Sequence, residues 1–208
     1  MPLDFLKTAL VTLLVTLDPP GLAPVFIGLT LGMSSGQRRE VALRACLIAF
    51  AILAFFAFAG RFVMDALGVS MPAFRIAGGF LLFYIAFDMI FALRGERKQE
   101  LASDAVTIDH VRNIAAFPLA IPLMAGPGSI TATMLLTARA GGDLVQLGGL
   151  MAIVALAMTV SFVTFLLADQ VSRLLGSTGK IVLTRMLGVV LAALAVQFVI
   201  DGIRSLLA

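Results

Sequence analysis

Long apolar stretches separated by short polar turns set the pattern of this sequence. A helix needs roughly 20 apolar residues to cross a membrane core about 30 Å thick, and six stretches reach that length. They cover residues 3–32, 42–66, 73–93, 112–138, 145–168 and 181–206. Polar turns separate them, among them residues 36–40 and 176–180. The pattern predicts an all-α membrane protein with six transmembrane helices.

One connection is longer and more highly charged than the others, and we place it over residues 94–111. It divides a single integral membrane domain into a first three-span half, residues 1–93, and a second three-span half, residues 112–208.

The positive charges indicate an orientation, because Lys and Arg concentrate on the cytoplasmic side of membrane proteins. Ten of them flank the connections after spans one, three and five, against five on the other side. The ten are Arg38, Arg39, Arg44, Arg94, Arg97, Lys98, Arg112, Arg173, Lys180 and Arg185. The five are Lys7, Arg61, Arg75, Arg139 and Arg204. We therefore expect a cytoplasmic linker and two periplasmic termini.

Composition narrows the function classes. Of the 208 residues, 61% are hydrophobic and 13% are charged, which excludes a soluble globular domain at about 45–50% and 25%. The single Cys46 excludes an intramolecular disulfide, and the single His110 excludes a multi-histidine metal site. A net charge of +3 gives no reason to expect a nucleic-acid partner. We expect no metal and no cofactor, and the lack of a nucleophile–base pair argues against an enzyme.

The two halves share motifs in the same order. Pro20-Gly21 aligns with Pro127-Gly128 at an offset of 107 residues. Arg75-Ile76-Ala77-Gly78 matches Arg185-Met186-Leu187-Gly188 at an offset of 110. Because each half holds an odd number of spans, the second copy must enter the membrane from the opposite side. The sequence thus predicts an inverted 3+3 repeat, an architecture shared by many secondary transporters.

Proline and glycine interrupt the first span of each half. Asp18-Pro19-Pro20-Gly21 lies within the first span, and Gly126-Pro127-Gly128 lies within the fourth. Proline inside a helix removes a hydrogen bond and costs about 3 kcal/mol or more. Backbone groups freed at membrane depth must be buried in protein or line a watery cavity. We predict a broken first helix in each half; the alternative is a pair of kinks that only shape helix packing.

The two breaks predict a binding site for a small zwitterion. The half-helix after each break begins with free N–H groups and a partial positive charge that suit a carboxylate. The half-helix before each break ends with carbonyl oxygens that suit an ammonium group. The candidate substrate-binding residues are Asp18, Pro19, Pro20, Gly21, Gly126, Pro127, Gly128, Ser129 and Thr131, and the Thr133 hydroxyl follows them.

Two carboxylates are candidates for coupling transport to an ion, either a proton or sodium. Asp18 lies well inside the first span, where an ionisable residue is by default a functional hypothesis. Its alternative role is only to cap the half-helix that begins at Pro19. Asp88 lies near the end of the third span, where we expect it to reach the membrane interface.

Several longer motifs together carry a resemblance to a known family. They are Gly68-Val69-Ser70, Phe74-Arg75-Ile76-Ala77-Gly78-Gly79, Pro118-Leu119-Ala120-Ile121-Pro122 and Ala125-Gly126-Pro127-Gly128. With them, essentially the whole chain resembles the MarC family of bacterial inner-membrane proteins, which includes the SnatA-type small neutral amino acid transporters. The resemblance implies six spans, an inner-membrane location, no prosthetic group and, for some members, movement of alanine, glycine or serine. Many relatives resemble Asn-Pro where this chain has Asp18-Pro19.

The sequence and the resemblance together predict a secondary transporter of small neutral amino acids such as alanine, glycine and serine. It would work by alternating access in the lipid bilayer, in export or exchange, with the substrate at the helix breaks. Two alternatives stay open, namely a carrier for another small metabolite and a non-transporting assembly or regulatory protein. The oligomeric state is not indicated by the sequence.

Overall fold

The structure, a computed structural model, describes residues 2–91 and 114–207, and the elements in these ranges are helices. They are α1 (Pro2–Leu17), α2 (Pro19–Leu29), α3 (Ser35–Ala66), α4 (Met71–Ile90), α5 (Ala115–Met124), α6 (Pro127–Ala140), α7 (Leu144–Leu166) and α8 (Ala168–Leu207). Within these ranges, five apolar stretches are long enough to span a membrane, and α5 with α6 forms a sixth that is bent by 57°. The prediction of an all-α membrane protein is confirmed. The predicted linker lies outside the described residues, as do His110, Arg94, Arg97, Lys98 and Arg112.

The sequence prediction is wrong about residues 36–40, which are helical rather than a turn. Ser34 and Gln37 form a capping box that starts α3 early. The Gln37 N–H donates to the Ser34 hydroxyl at 3.3 Å, and the Ser34 N–H donates to the Gln37 side chain at 2.9 Å. The added turns carry Arg38, which forms an ion pair at 3.1 Å with Asp169 at the start of α8.

The predicted turn at residues 176–180 is narrower in the structure, where only its first residue leaves the helical conformation. Gly176 has a φ of 60° and a ψ of −171°, and α8 continues on both sides of it. Glycine has no Cβ to oppose a positive φ, so a single residue is enough to redirect the helix.

Contacts between helices show which helix ends lie on the same side of the bundle. Leu6 in α1 lies against Gly149 in α7, near the starts of both helices. Arg75, near the start of α4, donates to the carbonyl oxygen of Ala138 near the end of α6 at 3.1 Å. We call this the terminal side, because α1 begins and α8 ends there. The ion pair between α3 and α8 lies on the opposite side.

Asp143 starts α7 on the terminal side. Its carboxylate accepts hydrogen bonds from the Gln146 side chain at 3.0 Å and from the Val145 N–H at 2.8 Å. These two hydrogen bonds, that of Gln146 first, favour the charged form and lower the pKa of Asp143 below its ordinary value. The same carboxylate caps the first turn of the helix.

Glycines bring α4 and α8, the most extensive helix pair, into close antiparallel contact. A Cβ built on Gly79 would lie 2.8 Å from the carbonyl oxygen of Ala195, and one on Gly188 would lie 3.1 Å from that of Ala86. Small residues of this kind let backbones approach inside a membrane, where lipid tails give helices no hydrophobic reason to associate. Close packing at these glycines therefore holds the pair together.

We expect Gly79→Ala and Gly188→Ala to destabilise the protein. The added methyl group meets backbone atoms that cannot rotate away, and overpacking of this kind costs about 1–3 kcal/mol. The measurement is the thermal unfolding midpoint of the purified chain in a mild detergent.

Gly148→Ala in α7 is the matched control, because a methyl group added to Gly148 would have no neighbouring atom within 4 Å. Replacing this helical glycine should leave the midpoint unchanged or raise it, since alanine favours a helix by up to about 1 kcal/mol. Equal midpoints for all three variants would contradict the role given to the α4–α8 glycines.

Candidate functional site

Asp18 forms the first break, between α1 and α2. Its backbone is left-handed, with a φ of 52° and a ψ of 61°, a conformation that aspartate and asparagine tolerate better than most residues. The Gly21 N–H donates to the Asp18 carboxylate at 3.2 Å, so the side chain caps α2. Pro19 and Pro20 occupy the first turn of α2, where a missing N–H costs nothing.

The carboxylate at this break is buried in the bundle. Asp18 is 3% exposed, and its own backbone stays paired, with its N–H donating to Leu14 at 2.9 Å and its carbonyl accepting from Leu22 at 3.1 Å. A methyl group on Gly21 would overlap the carboxylate. Glycine is therefore required at residue 21 if the cap is to form.

The second break lies between α5 and α6. Phe117 and Ile121 are extended inside α5, and cis peptide bonds join them to Pro118 and Pro122. Gly126 is the residue before the first turn of α6, and among the described residues no side chain caps this N-terminus. A methyl group on Gly126 would overlap the carbonyl oxygen of Pro122. The two half-helix N-termini therefore differ, since a carboxylate caps α2 and no side chain caps α6.

The predicted hydroxyls serve the backbone around the second break. Ser129 donates to the carbonyl oxygens of Met124 and Gly126, the latter at 3.3 Å. Thr133 donates to the carbonyl oxygen of Ser129 at 2.8 Å. Both hydroxyls therefore donate to carbonyl groups at the second break and within α6. Thr131 is buried and turns its methyl group toward Gly78.

One segment of α4 lies beside both breaks. A methyl group on Gly128 would overlap the tip of Ile85. Ile85 also packs on a small buried cluster formed by Val15, Ala86, Met89 and Leu191. Val15 lies three residues before Asp18, so the same turn of α4 contacts α1 near the first break and α6 at the second.

Asp88 lies on this segment of α4, near the end of the helix, and it is 5% exposed. Its burial follows from the packing of α4 against neighbouring helices, which position along the span does not predict. Within the described parts of the chain, no group of three or more His, Cys, Asp or Glu side chains is placed to hold a metal ion.

Sequence reasoning missed the hydroxyls of α1. Thr12 and Thr16 are buried, and Thr16 donates to the carbonyl oxygen of Thr12 at 2.8 Å. The Thr12 hydroxyl has no hydrogen-bond partner among the described residues, and a buried polar group without a partner is costly. Thr8, Thr12 and Thr16 recur every four residues along α1, and this spacing was the available signal.

A cavity of about 420 Å³ lies on the terminal side between α3, α6 and α7. Its lining includes Arg61, Met64, Met134, Thr137 and Leu147. Met134 is six residues past Gly128, about 9 Å along α6 at 1.5 Å per residue. The cavity therefore reaches from the terminal side toward the second break.

Comparison with known proteins agrees with this architecture. The family model described as "MarC family integral membrane protein" matches residues 3–207. A UPF0056 membrane protein of Archaeoglobus fulgidus is 37% identical over 206 residues, covering 98% of this chain and 94% of its own length. One of Aquifex aeolicus is 38% identical over 204 residues, covering 96% and 92%.

A third relative, the UPF0056 membrane protein YhcE of Escherichia coli, is 35% identical over 194 residues, covering 93% of this chain and 89% of its own length. No solved structure matches the chain. The family match covers the helices from α1 to α8, and the three alignments cover nearly the whole length of relatives that are named as membrane proteins. The chain therefore belongs to the MarC family of integral, multi-pass membrane proteins.

Proposed function

We propose that this protein is a secondary transporter of small neutral amino acids and that the substrate binds between the two helix breaks. One observation carries the proposal, namely the difference between the two half-helix N-termini. A buried carboxylate caps α2, whereas no side chain caps α6.

This difference gives the proposed site a polarity that matches a zwitterion. The first turn of α6 offers the N–H groups of Gly128 and Ser129 and a partial positive charge, so the substrate carboxylate binds there. At the first break, Asp18 already occupies the N-terminus of α2 and adds a negative charge. The substrate ammonium group therefore lies against Asp18.

The packing around the second break supports a small substrate. Ile85 fills the space next to Gly128 so closely that a methyl group on the glycine would overlap it. Alanine, glycine and serine add at most a methyl or hydroxymethyl group to the zwitterion. We infer that Ile85 limits the side chain that can enter.

We infer further that the two halves form an inverted 3+3 repeat. The glycine contacts between α4 and α8 support this, because they are reciprocal. Gly79 lies against Ala195 and Val199, and Gly188 lies against Ala86 and Met89. Gly79 and Gly188 are 109 residues apart, as are Ala86 and Ala195, and Met89 and Val199 are 110 residues apart.

Two further sets of helix contacts follow the same rule. α1 and α2, the broken span of the first half, pack against α7, the second span of the second half. α5 and α6, the broken span of the second half, pack against α3. Rocking of one half against the other around the breaks would expose the site alternately, and the cavity beside Met134 is the proposed approach from the terminal side.

We expect counterflow in proteoliposomes that contain the purified chain in a bacterial-type lipid mixture. Vesicles loaded with unlabelled alanine, glycine or serine should accumulate trace labelled alanine above its equilibrium level, because a carrier exchanges substrate across the membrane.

Vesicles loaded with leucine are the size control and should not accumulate alanine, and protein-free vesicles give the leak. Equilibration without accumulation would indicate a channel. No uptake by correctly folded protein would overturn the proposal and favour another metabolite or a regulatory role.

Replacement of Asp18 separates its charge from its capping role. Asp18→Asn keeps an oxygen acceptor for the Gly21 N–H and a residue type that tolerates a left-handed backbone. Its unfolding midpoint should stay near that of the wild type, while counterflow should fall at least tenfold, as expected for loss of a charged hydrogen bond worth about 1.5–3 kcal/mol.

Asp18→Ala loses the cap as well, so both its stability and its counterflow should fall. Asp4→Asn is the matched control, since this carboxylate is exposed near the start of α1. If Asp18→Asn transports alanine at the wild-type rate, Asp18 only caps α2 and takes no part in substrate binding or ion coupling.

Orientation is tested by single cysteines in a Cys46→Ala background. We expect Leu144→Cys, on the terminal side, to react with a membrane-impermeant maleimide in intact spheroplasts of a bacterial host. Arg39→Cys, on the opposite side, should react only after lysis. The reverse pattern would place the termini in the cytoplasm.

A further inference from the structure

A second cavity, of about 350 Å³, lies on the terminal side and is lined by arginines. Arg75, Arg139 and Arg204 surround it together with Asp201, and Leu135 and Phe198 form its apolar part. We call it the arginine cavity. Leu135 is seven residues past Gly128, about 10 Å along α6. Within the described residues, the lining of this cavity shares no residue with the two helix breaks.

The three arginines come from three helices and two halves of the chain. Arg75 is in the second turn of α4, whereas Arg139 and Arg204 are in the last turns of α6 and α8. All three positions lie at helix ends on the terminal side. For helices that span a membrane, this is the level of the lipid headgroups.

Within the described residues, carboxylates do not balance the positive charges around the cavity. Asp201 is the one acidic side chain in its lining, and it accepts a hydrogen bond from Gln197 at 2.8 Å. The ion pairs found among residues 2–91 and 114–207 lie elsewhere, between Lys7 and Asp4, Arg38 and Asp169, and Arg44 and Glu40. Three cations that converge without a paired carboxylate favour an added anion.

Helix dipoles do not account for the arrangement. A cation in the last turn of a helix is favourable, which suits Arg139 and Arg204 separately. Arg75 is near the positive end of α4, where the dipole opposes a cation. It is held there by the carbonyl oxygen of Ala138 at the end of α6, which accepts one of its N–H groups at 3.1 Å. That bond directs the guanidinium toward the cavity region instead of leaving it in solvent.

We propose that the arginine cavity binds a phosphate group, supplied by an anionic phospholipid headgroup or by a free phosphate. Guanidinium groups match phosphate oxygens with paired N–H donors, and each of the three arginines retains several donors beyond those used within the protein. Leu135 and Phe198 provide a surface for the glycerol and first methylene groups of a lipid. The volume lies at the lower end of the range for ligand pockets and fits a headgroup rather than a whole lipid.

The test is ligand-dependent thermal stabilisation of the full chain in an uncharged detergent at constant ionic strength. The ligands are dioctanoyl phosphatidylglycerol, dioctanoyl phosphatidylcholine and sodium phosphate. We expect phosphatidylglycerol to raise the unfolding midpoint of the wild type in a saturable way and phosphatidylcholine to have little effect. The Arg139→Gln/Arg204→Gln double variant should bind phosphatidylglycerol at least tenfold more weakly.

Arg61→Gln is the matched control, because Arg61 is an exposed arginine on the same side that lines the other cavity; it should bind like the wild type. The midpoint without ligand reports whether each variant folds. If the double variant does not fold, Arg204→Gln alone, at an exposed position, provides the same comparison with a smaller loss.

The arms of the experiment separate the two sources of phosphate. Saturable stabilisation by phosphatidylglycerol but not by sodium phosphate identifies a lipid headgroup. Equal stabilisation by sodium phosphate, lost in the double variant, identifies free phosphate. The proposal is overturned if the double variant and the wild type bind phosphatidylglycerol equally, if phosphatidylcholine stabilises as well, or if neither ligand shifts the wild-type midpoint.

Discussion

A backbone group at membrane depth must find a partner inside the protein, and both helix breaks are built around this requirement. At the first break the left-handed Asp18 keeps its own N–H and carbonyl paired, and its carboxylate caps α2. At the second break the Ser129 hydroxyl takes up the carbonyl oxygens of Met124 and Gly126, while the first turn of α6 receives no side-chain cap. The first break therefore contributes a buried carboxylate, and the second contributes a helix N-terminus that no side chain of the described residues caps.

Close packing makes these conformations possible. Gly21 leaves room for the Asp18 carboxylate, and Gly126 leaves room for the carbonyl oxygen of Pro122. Ile85 lies against Gly128 and packs on the cluster that contains Val15, so α4 supports both breaks at once. Because α4 is in turn held by α8 through Gly79 and Gly188, a change in that helix pair would be transmitted to both breaks.

The sequence predicted the features that depend on local chemistry. Six apolar stretches and the Pro-Gly interruptions follow from chain composition, and the cap at Asp18 follows from its place before Pro19. The early start of α3 also has a local sequence signal, the capping box of Ser34 and Gln37. The charged residues around them nevertheless favoured a turn. The burial of Asp88 and the convergence of Arg75, Arg139 and Arg204 depend on helices far apart in the chain, and no local pattern predicts them.

For the proposed transport, the difference in capping between the two breaks matters more than their similar positions in the two halves. Two identical breaks would present either two donor ends or two capped ends, and neither pair complements a molecule with a carboxylate at one end and an ammonium group at the other. Aspartate at one break and glycine at the other remove that equivalence. An asparagine in place of Asp18 would still cap α2, so the capping requirement alone does not select aspartate. What aspartate adds over asparagine is an ionisable carboxylate at membrane depth, which is by default a functional candidate. In the proposed site, this carboxylate faces the substrate ammonium group.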